Sequence, residues 1–237
     1  MSAFSFDLTP LADFDANQWA PTAGGFAIQA KAFDRAKRID TDQVMLTTMP
    51  GDNHIAGSGD MERCDLTLNV EQSLGTEGSD AWYWNAFSFP DEFQRTTWQP
   101  YNLVDWHGTG AGPSANYSIR FRGAVNPNEP GQLCLQGFGG DPEKAYEYGT
   151  LLSVPIKTYR QYKFTHHIRW ASDSSGFVNT WLDETQVLLY AGPTLFVGQS
   201  AYLKLANYHL PDGSGKCSSI IHWLPKVGRV RSEVESV

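Results

Sequence analysis

Strict alternation of side-chain character in YKFTHHIRW, residues 162–170, predicts a β-strand. Every second side chain from Tyr162 to Trp170 falls on one side, and this set is aromatic or apolar except for His166. The side chains between them are polar. Successive side chains of a strand point to opposite faces of a sheet, so this period of two indicates one buried and one solvated face. YSIRFR, residues 117–122, repeats the pattern.

Eight further segments have strand character and are separated by turn sequences such as SDSSG and PDGSG. They are RCDLTLNV (63–70), AWYWNAFSF (81–89), YNLVDWH (101–107), GQLCLQGF (131–138), FVNTWLD (177–183), TQVLLYAG (185–192), AYLKLANY (201–208) and SSIIHWL (218–224). Helical signal is confined to DPEKAYEY, which could form a turn or two. We therefore expect an all-β fold of two packed antiparallel sheets, a sandwich or jelly roll. Without an internal repeat or a Pro/Gly-rich linker, residues 1–237 are expected to form a single domain.

Charge and hydropathy exclude two classes of partner. The formal net charge of −8 argues against a general nucleic-acid binder. No stretch approaches the roughly 20 apolar residues that span a bilayer, so no membrane partner is expected. The opening MSAFSFDLTP lacks a basic region followed by an apolar run. The localisation therefore stays open: the protein is secreted or particle-associated if a signal was removed or another export route is used, and otherwise cytoplasmic.

The strand AYLKLANY places a cation and a phenol on one face. Tyr202, Lys204 and Tyr208 alternate with Leu203 and Leu205. With the leucines packed between the sheets, Lys204 and Tyr208 lie about 13 Å apart along the strand. That spacing suits successive units of an extended ligand, although an ordinary solvated face remains the simpler alternative.

The segment NLVDWHGTG ends a strand with a histidine beside glycines. Leu103, Asp105 and His107 are expected on one face, and Asn102 and Val104 on the other. A histidine titrates near working pH and can transfer protons, and Asp105 could orient it. A surface histidine without a catalytic role is the alternative.

The segment GDMERCDLTL alternates Arg63, Asp65 and Thr67 with Cys64 and Leu66. An arginine on a sheet face can donate two parallel hydrogen bonds to a carboxylate. An ion pair within the sheet, between Arg63 and Asp65, is an equal alternative.

Taken in order, R-x-D-L, D-W-H-G and Y-L-K-L-x-x-Y resemble strands of the jelly-roll polysaccharide lyases, which include alginate lyases, glucuronan lyases and heparin lyase I. SDAWYWNAFSFPDEF and the run from YRQYKF to AGPT are similar to further strands of that family. The resemblance covers roughly residues 60–210 and is nearest to the glucuronan-lyase and heparin-lyase-I-like branches.

The resemblance implies a concanavalin A-like jelly roll with a concave cleft, and cleavage of a uronic-acid-containing anionic polysaccharide by β-elimination. Proton transfer would fall to Tyr208 and His107, and Arg63 and Lys204 would neutralise the uronate carboxylate. The remaining candidates for substrate binding are His54, Asp105, Arg120, Arg122 and Tyr202.

Two departures from the family pattern leave other functions open. Asp105 stands where these lyases usually have Gln, and Cys64 with Asp65 replaces Ser-Glu. A lectin-like carbohydrate-binding module on the same fold is the main alternative. A glycoside hydrolase is less favoured, because it needs two carboxylates on one face and Glu62 lies three residues from Asp65.

No cofactor is expected. The three cysteines form no CxxC pair, and the acidic loops lack EF-hand spacing, although they could bind Ca²⁺ as a structural ion. The expected partner is an anionic polysaccharide or oligosaccharide, and the expected oligomeric state is a monomer.

Overall fold

The computed structural model describes residues 4–15, 18–53, 59–91, 93, 101–110, 115–123, 131–211 and 213–235. Within these ranges it contains sixteen strands, one short helix (α1, Ser232–Glu235) and 3₁₀ turns at Phe33–Arg35 and Pro142–Lys144. The described part of the chain has no helix long and apolar enough to cross a membrane.

The strands, numbered in chain order, form two sheets in which every neighbouring pair is antiparallel. The first sheet has the spatial order β1 (Ala20–Pro21), β2 (Ala27–Ala30), β5 (Glu62–Thr67), β14 (Ala201–His209), β7 (Tyr101–Gly108), β8 (Ala115–Arg122), β9 (Gln132–Gly139) and β10 (Tyr146–Pro155). The second has the order β13 (Thr185–Ala191), β12 (Phe177–Leu182), β11 (Tyr162–Arg169), β6 (Asp80–Ser88), β15 (Ser218–Trp223), β4 (Gln43–Thr48) and β3 (Ala36–Arg38), and β16 (Lys226–Gly228) also pairs with β6.

The core between the sheets is rich in aromatic rings. Trp106 of the first sheet lies 5.2 Å, centroid to centroid, from Tyr83 and 4.8 Å from His166 of the second. The polar His166 ring is accommodated because its nitrogens lie 3.0 Å from Thr180 Oγ1 and 3.0 Å from Asn85 Oδ1. The predicted all-β fold of two packed antiparallel sheets is therefore confirmed.

All ten strands predicted from alternation are present, with ends that shift by a few residues. The strands that were not predicted are β1 to β4, β10 and β16. DPEKAYEY forms only the 3₁₀ turn Pro142–Lys144 before β10 begins at Tyr146.

In β14 the predicted partition of faces is correct. Leu203 and Leu205 are buried in the core. Asn207 points the same way, and its Nδ2 donates hydrogen bonds of 3.0 Å to Leu46 O and 2.8 Å to Ser218 O. These two carbonyls belong to β4 and β15, so Asn207 ties the first sheet to the second.

In β7 the predicted partition is wrong at one end. Asn102 pairs with Arg120, whereas Val104 pairs with the next residue of β8, Ile119, so Leu103 is an extra residue in a β-bulge. Leu103 is consequently buried in the core instead of sharing a face with Asp105. The bulge brings Asn102 onto the face that carries Asp105.

Candidate active site

The candidate functional residues share the face of the first sheet that is turned away from the second sheet, here called the site face. Its central polar side chains are Gln29 (β2), Arg63 and Asp65 (β5), Tyr202, Lys204 and Tyr208 (β14), Asn102, Asp105 and His107 (β7), and Ser118 and Arg120 (β8). Asp65, Lys204 and Asp105 are nearly inaccessible to solvent, at 0%, 3% and 1% exposure. Neighbouring side chains therefore cover these three charged groups on the site face.

Two cations share one carboxylate at this centre. Asp65 Oδ2 lies 3.1 Å from Arg63 Nε and 3.2 Å from Lys204 Nζ. Arg63 also donates from Nη1 to Gln29 Oε1 at 2.7 Å. The ion pair between Arg63 and Asp65, one of the two alternatives from the sequence, is thus formed. It leaves one surplus positive charge in the group of three ions.

Tyr208 lies against these cations. Arg63 Cζ is 4.3 Å from the centroid of its ring, and Lys204 Nζ is 5.9 Å from it. The side chains of Lys204 and Tyr208 converge, so their functional groups are much closer than the 13 Å expected along the strand. Two positive charges therefore lie beside a hydroxyl-bearing ring.

His107 is held in one orientation at the end of β7. Its Nδ1 lies 3.0 Å from Gly108 O, and because a carbonyl only accepts, Nδ1 donates. Its ring stacks on Tyr202 with centroids 5.2 Å apart. Burial, aided by the charge of Lys204, lowers the pKa of His107 to about 4. The ring is neutral at neutral pH, and its Nε2 keeps a lone pair.

Glycine after His107 allows the strand end to pack closely against two buried amide side chains. A Cβ at Gly108 would lie 2.6 Å from Asn116 Oδ1 and 2.7 Å from Gln199 Oε1, closer than van der Waals contact allows. Close packing of the strand end against these amides thus positions the histidine.

Asp105 faces Lys204 directly in the strand register. Burial raises the pKa of Asp105 to about 6, against the opposing influence of the positive charges on Lys204 and Arg120. Its Oδ1 has no hydrogen-bond partner within the described ranges. Burial, with Asp105 nearby, also raises the pKa of Tyr202 to about 12.

The two other arginine candidates are placed differently. Arg120 donates from Nε to Ser118 Oγ at 2.8 Å and from Nη1 to Gln136 Oε1 of β9 at 2.6 Å, and its charge acts on Asp105. Arg122 is exposed and lines a cavity of about 630 Å³ beside β9 and β10. His54 lies outside the described residues.

The sequence patterns missed three residues of the site face. Asn102 was assigned to the wrong side because the bulge at Leu103 reverses the alternation. Gln29 belongs to a four-residue strand too short for a pattern. Trp19 precedes a two-residue strand, yet its ring lies 5.7 Å from Lys204 Nζ; an isolated tryptophan gives no signal in the sequence.

The geometry also bears on two other kinds of site, a glycoside hydrolase carboxylate pair and a metal site. Glu62 accepts a hydrogen bond from Gly51 N and lies within 3.8 Å of the buried His209, on the opposite side of β5 from Asp65. The pair of facing carboxylates that a glycoside hydrolase needs is not formed by these two. Among the described residues, no three His, Cys, Asp or Glu side chains come together as metal ligands. Calcium binding stays an untested expectation.

Comparison with known proteins gave one family and a set of similar folds. The sequence profile of the family described as Polysaccharide lyase matches residues 12–224. The endo-β-1,4-glucuronan lyase of the fungus Trichoderma reesei superposes with a TM-score of 0.65 at 15% identity, over 95% of this chain and 98% of that one. No curated protein sequence matches the chain.

Two bacterial alginate lyases have the same fold. The enzyme of Klebsiella pneumoniae gives a TM-score of 0.55 at 10% identity, over 80% of this chain and 82% of its own. The enzyme PA1167 of Pseudomonas aeruginosa gives 0.56 at 13% identity, over 83% and 86%. At these identities the likeness shows the fold, a β-jelly roll.

Proposed function

The chain belongs to the polysaccharide lyase family, and on that premise we propose that it cleaves a uronic-acid-containing polysaccharide by β-elimination. The observation that carries this proposal is the convergence of Tyr208, Arg63 and Lys204 on the site face, with His107 on the adjoining strand. These side chains can supply the cations, the proton acceptor and the proton donor that this chemistry needs.

β-Elimination from a uronate proceeds by removal of the proton at C5, next to the carboxylate. Negative charge then builds up on the carboxylate, the bond from C4 to the glycosidic oxygen breaks, and a C4=C5 double bond forms. The departing oxygen takes a proton. A catalyst must therefore neutralise the carboxylate, accept one proton and donate another.

Neutralisation of the carboxylate is assigned to the cations at the centre of the site face. Asp65 offsets only one of the charges on Arg63 and Lys204, and the charge of Arg120 on β8 acts on the same region through its influence on Asp105. Their arrangement favours the charge that develops in the transition state, since preorganised cations need no reorientation during the reaction.

Proton transfer is assigned to His107 and Tyr208. His107 is neutral, and with Nδ1 donating to Gly108 O it can accept the C5 proton at Nε2. Tyr208 carries a hydroxyl that can protonate the departing oxygen, and Arg63 and Lys204 lie beside the ring that then bears negative charge.

The test is turnover of uronate polymers, followed by the ultraviolet absorbance of the unsaturated product. We expect Tyr208→Phe to lower kcat by about 10²–10⁴-fold, because it removes a proton-transfer group without removing the ring. Substrate binding should be retained. Tyr159→Phe serves as the control, since this tyrosine is 62% exposed and hydrogen-bonds to Asp91 away from the site face.

Wild-type protein that binds glucuronan, alginate and heparan oligosaccharides but yields no unsaturated product would contradict the proposal and favour a carbohydrate-binding module. Equal turnover by Tyr208→Phe and wild type would remove Tyr208 from the mechanism.

A further inference from the structure

A cavity of about 630 Å³ adjoins the centre of the site face at the end formed by β2 and β5. Trp19 and Tyr202 both line it, so it is continuous with the two aromatic side chains beside Lys204 and His107. Its volume falls within the roughly 300–1,000 Å³ that is common for small-molecule sites.

The chemistry of this cavity differs from that of the rest of the site face. Its apolar lining includes Trp19, Leu11, Phe26 and Val70, and the described residues that line it include no charged side chain. Its polar side-chain groups are the hydroxyls of Thr22, Thr67 and Tyr202 and the amides of Asn69 and Gln72.

The opposite end of the site face is charged. Arg120 is joined through Gln136 to Glu147, whose carboxylate accepts from Gln136 Nε2 at 2.6 Å. Arg122 and Glu147 line the second cavity of about 630 Å³ at that end. A polysaccharide lying across the sheet would thus meet an apolar, aromatic environment on one side of the cleavage centre and an ionic one on the other.

We propose that the cavity beside Trp19, here called the Trp19 subsite, binds a sugar residue that carries no charge, next to the uronate at the cleavage centre. The preferred substrate is then a polysaccharide in which uronates alternate with uncharged sugars. This inference rests on the proposed function and extends it from a reaction to a class of substrate.

Desolvation explains the selectivity. A carboxylate that moves from water into a cavity without charged partners loses its hydration and gains no compensating ion pair. Lys204 does not supply this partner, because it is not among the residues that line the cavity and its Nζ lies at the cleavage centre, 3.2 Å from Asp65 Oδ2. An uncharged pyranose loses much less hydration free energy when it enters the cavity. Its apolar C–H face can pack on an aromatic ring while its hydroxyls hydrogen-bond to amides.

The first experiment compares kcat/KM on two hexasaccharides of matched length. One is a pure glucuronan oligomer, and the other alternates glucuronate with N-acetylglucosamine without sulfate. We expect the alternating oligomer to be cleaved about tenfold more efficiently. Preference for the homopolymer would overturn the assignment of the Trp19 subsite.

Single substitutions then test whether Trp19 is responsible for the preference for the alternating oligomer. Trp19→Ala should lower kcat/KM about tenfold on the alternating oligomer and change it little on glucuronan. Trp84→Ala is the matched control, because Trp84 is a half-buried tryptophan of the second sheet that contacts Lys226. An equal loss on both substrates with Trp19→Ala would mean that Trp19 only supports the structure.

A variant that is expected to gain activity cannot be mistaken for a misfolded protein. Leu11 lines the cavity and is 66% exposed, so Leu11→Lys adds a cation at the mouth without disturbing the core. We expect this variant to improve kcat/KM on glucuronan several-fold relative to wild type, since it supplies the missing partner for a carboxylate. An unchanged ratio between the two substrates would count against the subsite.

Failure of the proposed function can be told apart from failure of the subsite by equilibrium binding. Calorimetric titration with a tetramer of N-acetylglucosamine requires no turnover. Binding to wild type that is lost in Trp19→Ala would support the subsite even if no uronate polymer is cleaved. No binding to wild type, or equal binding to both proteins, would overturn it.

Discussion

At the scale of single residues, the protonation of Asp105 is expected to make the activity of the candidate site depend on pH. Its carboxyl group is buried and faces Lys204, and Lys204, Arg120, Asp65 and Arg63 all contribute to the electrostatic field at Asp105. Burial outweighs the attraction of the cations, which leaves its pKa at about 6. Binding of a uronate adds a second negative charge and raises this pKa further. A protonated Asp105 can donate a hydrogen bond to the substrate carboxylate, whereas an ionised one repels it.

We therefore expect wild-type kcat/KM to fall as pH rises above about 6, and Asp105→Asn to remove this alkaline decline. The two proteins should have similar kcat/KM near pH 5, and the variant should exceed wild type by about tenfold or more at pH 8. The measurement is a pH profile of kcat/KM from 5 to 9. A variant that is inactive throughout would show that the ionised carboxylate is required.

The Asp105 carboxyl group also makes the free energy of unfolding depend on pH, and the direction follows from its raised pKa. The folded pKa of about 6 lies above the ordinary value of 3.8. The stabilisation by the protonated form is full below pH 3.8 and is lost as pH rises through 6. Asp105→Asn should therefore raise the free energy of unfolding by up to ~3 kcal/mol at pH 8 and by much less at pH 4. Urea unfolding at both pH values checks this, and a gain that is independent of pH would contradict it.

At the scale of secondary structure, β14 is the strand that both builds the site and joins the sheets. Its outer side chains Lys204 and Tyr208 reach the site face, while Asn207 donates to carbonyls of β4 and β15. The hydrogen bonds of Asn207 therefore fix the position of the neighbouring Tyr208.

Asn207→Ala should lower the free energy of unfolding by about 2 kcal/mol, because two buried carbonyls lose their donor. It should also lower kcat, since Tyr208 is no longer held in place. Denaturant unfolding and turnover measure the two effects. Asn179→Ala is the control, because the Oδ1 of this half-buried asparagine of β12 has no partner in the described chain. Equal losses in both variants would contradict the role of Asn207 in joining the sheets.

Alternation predicted ten strands because their side chains are sorted by burial on two faces. It also predicted that Lys204 and Tyr208 share one face of β14, and the resemblance to lyases implied that Arg63 belongs to the same site; the strand register places all three on one face. It failed for Asn102 because one extra residue in β7 reverses every assignment beyond it. The strands β1 to β3 and β16, of two to four residues, carry too few positions for a period to be recognised. The pairing of one carboxylate with two cations depends on side-chain packing between strands, which no local pattern contains.

At the scale of the whole molecule, the charge of the protein and that of its site have opposite signs. The formal net charge is −8. Around Asp105, the charges of Arg63, Lys204 and Arg120 outnumber the carboxylates of Asp105 and Asp65. A long polyanion is therefore repelled by the protein at a distance and attracted within the cleft.

Salt should separate the long-range repulsion from the attraction within the cleft. At 0.1 M, exposed charges more than about 10 Å apart are largely screened from each other, whereas buried charges are screened far less. For a long uronate polymer, KM should decrease between about 10 and 100 mM salt as the long-range repulsion is screened. For a tetrasaccharide confined to the cleft, KM should stay constant or rise. Steady-state kinetics over this range tests the difference. A KM that rises for the polymer from the lowest salt concentration would contradict it.

The position of β14 between β5 and β7 also determines when the site can exist during synthesis. Lys204 pairs with Thr67 on one side and with Asp105 on the other. During translation, therefore, β5 and β7 each leave the ribosome with an unpaired edge and must remain so until residues 201–209 follow. Pairings over such long stretches of chain form slowly, and exposed strand edges promote aggregation in the interval. The strand that completes the candidate site is thus also one whose late arrival leaves two strand edges of the nascent chain open to misfolding.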